Sequence, residues 1–201
     1  MTTQKPKDPD FTPPRVEPLA FEQAFRPTDE LTVGDFWRWG FSDLKLNIIR
    51  GVLAEFLVAR AVGDPTDTVR DPWANFDVRT PDGVPIEVKS SAYLQGWPQE
   101  KLTSPQFSGL TGRSWAALTG YTQERETKAD VFVFCLHCAR THDEYDPLDI
   151  SQWIFWVVAA SVVKATKQRS VGLGFCDVNS ERLRWDQLAE AVQRAGSPKQ
   201  K

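Results

Sequence analysis

The stretch "FDVRTPDGVPIEVKS", residues 76–90, brings three ionisable side chains within reach of one another. Alternate side chains of an extended chain face opposite ways. Ile86 and Val88 therefore share one side, and Glu87 and Lys89 the other. Pro81-Asp82-Gly83 is strong turn chemistry, so the spacing predicts a hairpin of two short strands, around Asn75 to Arg79 and Pro85 to Ser90. Centred on Asp82, that hairpin sets Val78 against Ile86, Phe76 against Val88, and Asp77 against Glu87.

Directly opposed side chains have Cβ atoms roughly 4.5–5.5 Å apart, and two carboxylates there repel. A divalent cation removes the conflict. Mg²⁺, which prefers one or two carboxylates plus water and phosphate oxygens, is the expected ion, with Mn²⁺ able to substitute. Lys89 follows Glu87 on the same side at roughly 6–7 Å, where an ammonium can activate a water or offset charge on a phosphate. Those are the needs of phosphodiester hydrolysis, in which attack must be aimed and developing negative charge stabilised. Glu55, at the border of the apolar stripe of an upstream helix, is a third acid within reach. Ser90 and Ser91 are candidate phosphate contacts through hydroxyl or backbone N–H groups, and Gln95 follows close behind. Tyr93 and Trp97, with Trp73 and Trp115, could stack on bases. Arg70 and Arg113, with Arg79 and Lys101, are candidate phosphate contacts. Asp43 and Arg50 read as packing or surface residues. Glu126-Thr127-Lys128 repeats the Glu-x-Lys pattern without a turn or an opposing acid, and is assigned no role.

"CLHC" gives Cys135 and Cys138 the spacing of zinc ligands, with His142 or Cys176 as further donors. Cys135 sits in a strongly apolar run and no second paired knuckle exists, so zinc is not the expected metal. His137 and His142 are accompanied by no serine-centred nucleophile motif.

These residues need elements to hold them. Helical periodicity spans Thr32 to Val62, with glycines at Gly34, Gly40 and Gly51 marking breaks or close packing. Ile49, Val52, Leu53, Phe56 and Leu57 form its apolar stripe, and Gly63 with Asp64-Pro65 ends it. "ADVFVFCL" and "QWIFWVVAA" are nearly continuous apolar runs of strand length, suited to central strands covered on both faces. Leu188, Ala191, Val192 and Ala195 mark a last amphipathic helix. Helix, hairpin, buried strands and helix together imply an α/β sandwich around a mixed sheet. Residues 1–28, with six prolines among charges, read as a flexible arm, residues 29–196 as one domain, and 197–201 as a polar tail. The polar segment from Ser91 to Glu126 has no clear periodicity.

With 201 residues, 41% of them hydrophobic, the chain can bury a core. Its longest apolar run, "WIFWVVAASVV", is about half the ~20 residues a membrane span needs. The start lacks the apolar stretch of a secretory signal, and three cysteines make no even disulfide framework. A cytoplasmic protein is expected. The net charge of −3 gives no global nucleic-acid footprint, although basic residues outnumber acidic ones from Lys164 onward.

Glu55 on a helix, then Asp77 and Glu87-Val88-Lys89, resemble the PD-(D/E)XK nuclease superfamily. "RGVLAEFLVARAVG" followed by "FDVRTPDGVPIEVKSSAYLQGW" is similar to an uncharacterised bacterial branch with that fold. The resemblance covers about Leu44 to Gln95 well. It implies a restriction-endonuclease-like αβββαβ core and Mg²⁺-dependent cleavage of DNA, by an endonuclease in a restriction, repair or defence setting. Asp77 and Glu87 would be the metal ligands, Lys89 the catalytic lysine and Glu55 an auxiliary acid, leaving a 5′-phosphate and a 3′-hydroxyl. Phe76 stands where the superfamily's motif has proline. Pro81-Asp82 spells the literal motif but belongs to the turn. Exonuclease rather than endonuclease action, RNA as substrate, a homodimer, a catalytically inactive nucleic-acid-binding module and a subunit of a larger complex are the alternatives the sequence leaves open.

Overall fold

The computed structural model describes residues 16–65, 68–112, 115–116, 120–121 and 127–196. The predicted helical stretch is two helices. Helix α1, Val33–Phe41, starts on a capping box in which Thr32 and Asp35 bond each other's backbone N–H. Helix α2, Asn47–Val62, ends on Gly63 at φ 79°, a left-handed conformation that glycine adopts without strain. Of the N-terminal arm, residues 1–15 lie outside the described residues. Those from 16 onward include two bonds to the start of α1, Val33 N–H to the Gln23 carbonyl and Gly34 N–H to that of Phe21.

The main sheet has four strands: β1 (Val78–Arg79), β2 (Pro85–Ala92), β6 (Val131–His137) and β7 (Trp153–Ala159), in that spatial order. Val78 pairs with Ile86, the register the turn residues predict. Strand β6 runs parallel to β2, with Lys89 beside Phe134, and β7 is antiparallel to β6. The sheet is therefore mixed and flanked by helices, as the element pattern implies. Parallel neighbours need a long crossover, and the segment between β2 and β6 supplies it. From that segment β3 (Gln106–Ser108) pairs with β8 (Ser170–Gly172), and β4 (Trp115–Ala116) with β5 (Gly120–Tyr121). Two short helices, α3 (Ala160–Thr166) and α4 (Leu173–Asn179), flank β8, and α5 (Leu188–Gly196) closes the chain.

Every residue of β6 is buried, because each face of the sheet carries its own core. On one face Ile86, Val88, Val133 and Phe155 pack against Ala54, Leu57 and Val58 of α2 and Leu188 and Val192 of α5. On the other, Phe132, Phe134 and Trp156 meet Phe107 and Leu110 from the crossover, Val163 of α3 and Cys176 of α4. The predicted stripe on α2 is displaced in part: Leu57 is buried and Leu53 packs against the core. Val52 and Phe56 are 42% and 51% exposed, and the contact face is Ala54, Leu57, Val58 and Val62. Small and β-branched side chains let the helix lie close on the sheet, and this turns the larger Phe56 toward a cleft.

The second core depends on Phe107, whose ring lies 5.0 Å from that of Phe134 and 6.4 Å from that of Trp156. Phe107→Ala should lower stability by about 3–5 kcal/mol in urea denaturation. A change below about 1 kcal/mol would show that the crossover is not part of the folded core.

Candidate active site

Strand β1 pairs with β2 at Val78 and Arg79 alone. Asp77 therefore does not sit opposite Glu87 as a ladder partner. Its backbone N–H donates to the Ile86 carbonyl at 3.0 Å, and its carboxylate accepts the Val88 N–H at 2.8 Å. A side-chain oxygen thus does the work of a strand carbonyl, and it fixes an anion at the edge of β2. Phe76, the residue before it, lies under the Arg79 guanidinium, 4.4 Å from the ring centre.

Glu87 and Lys89 share the face opposite Ile86 and Val88, and the Lys89 ammonium donates to Glu87 at 2.5 Å. Both side chains are 19% exposed. The chain at Gly109, at φ 71°, passes this ammonium closely: a Cβ built there would lie 3.9 Å from Nζ. The sequence carried no sign of that neighbour beyond a lone glycine in a polar segment. Glu55 approaches from the other side, since α2 packs on the Ile86 and Val88 face. Arg70 grips it with a two-pronged contact, one prong the Nη2 bond at 2.8 Å. Glu55 and Asp77 line a cleft of ≈ 450 Å³ with Val52, Phe56, Phe76 and Arg70. The acids thus wrap the edge of the sheet, with Asp77 at the turn from one face to the other.

Their charges act on one another. Burial pushes the Glu87 carboxyl above its ordinary value; Lys89 opposes this, and the Asp77 and Glu55 charges add to it. Burial likewise raises Glu55, against the Arg70 hydrogen bond and with Asp77 adding. Among the described residues no three His, Cys, Asp or Glu side chains close into a ready-made metal cage. The oxygen donors at hand are those of Asp77, Glu87 and Glu55. Hard carboxylates raised in part by mutual repulsion are chemically suited to a hard divalent ion.

The other sequence candidates fall in different places. Ser90 is half-buried. Ser91 is buried and its hydroxyl accepts the Gln106 N–H at 3.3 Å. Gln95 is buried too, and its amide donates to the Ala92 carbonyl and to Thr103. Tyr93 lies under the Arg140 guanidinium, 4.4 Å from its ring centre, in a pocket with Trp156 and Arg182. Trp97 is exposed, Arg70 stands on the cleft wall, and Arg113 lies outside the described residues. Cys135 and Cys138 belong to different cores, on opposite faces of the sheet. Burial, with the Asp77 and Glu55 charges adding, pushes the Cys135 thiol well up.

Asparagine at position 77 keeps an acceptor for the Val88 N–H while removing the charge, whereas alanine leaves that N–H without its partner. Asp77→Ala should therefore cost about 1–3 kcal/mol more stability than Asp77→Asn. Carboxyl NMR titration of Asp77→Asn should find Glu87 and Glu55 ionising at lower pH than in the wild type, because a repelling charge is gone. Unmoved titrations would separate these groups electrostatically.

No curated protein matches the chain. Residues 41–173 match the family described as bacteriophage T4 endonuclease IV. That span begins before α2 and ends after β8, so it contains Glu55, Asp77, Glu87, Lys89 and the whole main sheet, while α5 and all but the first residue of α4 lie beyond it. The chain belongs to the bacteriophage T4 endonuclease IV family of nucleases.

Proposed function

We propose that the edge of β2 is a metal-dependent phosphodiesterase site and that the protein is an endonuclease acting on DNA. The observation that carries this reading is the convergence of Asp77, Glu87, Lys89 and Glu55 on one sheet edge, inside the span matched to a nuclease family. The order of these residues, helix acid first, then Asp, then Glu-x-Lys, is that of the PD-(D/E)XK superfamily, with Phe76 in place of its proline.

Asp77 and Glu87 would hold Mg²⁺, or Mn²⁺ in its place, with Glu55 assisting. When bound, the ion supplies positive charge that offsets what develops on the phosphate oxygens. The residues do the rest. Asp77 is aimed by the Val88 N–H and so needs no reorganisation to present its carboxylate. Lys89, held by Glu87 beside the Gly109 loop, orients an attacking water or offsets charge on the phosphate. Arg70 keeps Glu55 turned toward the edge and presents part of its guanidinium to a passing strand. The apolar cleft wall of Val52, Phe56 and Phe76 suits the sugar and base beside the phosphate. A 5′-phosphate and a 3′-hydroxyl are the expected ends.

Lys89→Ala should lower the cleavage rate of labelled linear and circular DNA by about 10²–10⁴-fold, with circular dichroism unchanged. Cleavage should stop in a chelator and return with Mg²⁺. Full activity in Lys89→Ala would remove the lysine from the reaction. DNA binding without divalent-dependent cleavage would favour a binding module.

A further inference from the structure

Arg50 is the one charged residue in the interior of the described structure, 3% exposed. Its hydrogen-bond acceptors are all uncharged: the Lys45 carbonyl at 3.1 Å, Asn47 Oδ1 at 2.7 Å and Gln95 Oε1 at 3.5 Å. A guanidinium taken out of water without an anion is costly. Four buried side-chain polar atoms among the described residues have no hydrogen-bond partner: Arg50 Nε, His137 Nδ1, Tyr145 Oη and Trp153 Nε1.

All four belong to one cluster. The His137 ring stacks on Tyr145 at 4.1 Å and meets Trp153 edge-on at 5.2 Å, and Arg50 acts electrostatically on both Tyr145 and His137. Lys45 brings a second cation, its ammonium 4.3 Å from the centre of the Tyr145 ring and 3.0 Å from His142 Nδ1. The cluster sits at the N-terminus of the 16-residue helix α2, where Leu46 offers no side-chain cap. The first backbone N–H groups of a helix lack partners and carry its positive dipole end. The nearby acids are already engaged in their own turns, Asp43 by Lys45 N–H, Asp146 by Leu148 N–H, and Asp149 by Ser151.

We propose that this cluster is a second site, which binds a phosphate group. Arg50, Lys45, Tyr145, Trp153 and the α2 N-terminus supply cations and N–H or O–H donors. His137, whose Nε2–H donates to the Asp146 carbonyl at 3.2 Å, presents a free Nδ1 that accepts from a protonated oxygen of inorganic phosphate, or from a water beside a fully ionised phosphodiester link. The phosphate is either free inorganic phosphate or a link of a nucleic-acid strand. The strand source rests on the nuclease reading. Arg50 and Glu55 are then five residues apart on one helix, about 7.5 Å along its axis, so a strand crossing the edge of β2 could place a flanking phosphate here.

The test measures melting temperature in chelator, with inorganic phosphate against sodium chloride at equal ionic strength. Phosphate should raise the wild-type value saturably. The rise should be lost in Lys45→Ala and in Tyr145→Phe, which removes a hydroxyl and keeps the stacked ring, so the result does not depend on whether Arg50→Met folds. In a second arm, binding of a short DNA oligonucleotide is measured in chelator. Weakening by about tenfold in the same variants, with competition by phosphate, identifies a strand phosphate. Loss of the phosphate effect with unchanged oligonucleotide affinity identifies a site for free phosphate. No phosphate-specific rise in the wild type overturns the proposal and assigns the four polar atoms to ordered water. Neither readout requires cleavage, so failure here is separate from failure of the nuclease reading.

Discussion

The hydrogen bond from the Val88 N–H to the Asp77 carboxylate is the contact on which the candidate site depends. It exists because β1 is only two residues long. A longer β1 would satisfy β2 with backbone carbonyls and direct Asp77 elsewhere. Ending the ladder at Val78 leaves an unpaired N–H on β2, and an acid is the side chain that satisfies it most strongly. An edge that would otherwise recruit another strand becomes a place where negative charge is fixed. Glu87 and Lys89 then follow from the alternation of β2, and Glu55 from the packing of α2. The charged edge is affordable only because two complete cores, one on each face, hold the sheet.

Local chemistry made much of this legible in the sequence. Pro81-Asp82-Gly83 set the hairpin register, so Val78 could be placed against Ile86 from numbering alone. The uninterrupted apolar runs announced β6 and β7 as buried strands, although only β6 is central and β7 ends the sheet's order, and Leu188, Ala191 and Val192 announced the buried face of α5. What stayed hidden was non-local. The pairing of β3 with β8 joins segments more than sixty residues apart, and no short-range pattern encodes it. The exposure of Val52 and Phe56 also depends on which side of α2 meets the sheet, a choice made by Ala54 and Val58 and invisible to a count of apolar residues. Asp77 was found by assuming a ladder pair, yet it acts through a side-chain bond that ends the ladder.

Arg50 shows the same limit from the opposite direction. On sequence it is one of many surface-like arginines of a helix. Burial at the start of α2, near His137 at the far end of β6 and Tyr145 in the loop beyond it, turns it into an uncompensated charge. One helix thereby carries two charged positions that face different parts of the molecule, Glu55 at the sheet edge and Arg50 at its N-terminus. A rigid helix fixes the distance between them better than a loop could.

The most direct test of the account is calorimetric titration of Mn²⁺ into the wild type, Asp77→Asn and Glu87→Gln, with and without a short DNA. The account predicts binding at one class of site in the wild type that is lost in both variants, since each removes a carboxylate from the edge of β2. Equal binding in all three proteins, or none in the wild type even with DNA present, would contradict a metal site at this edge.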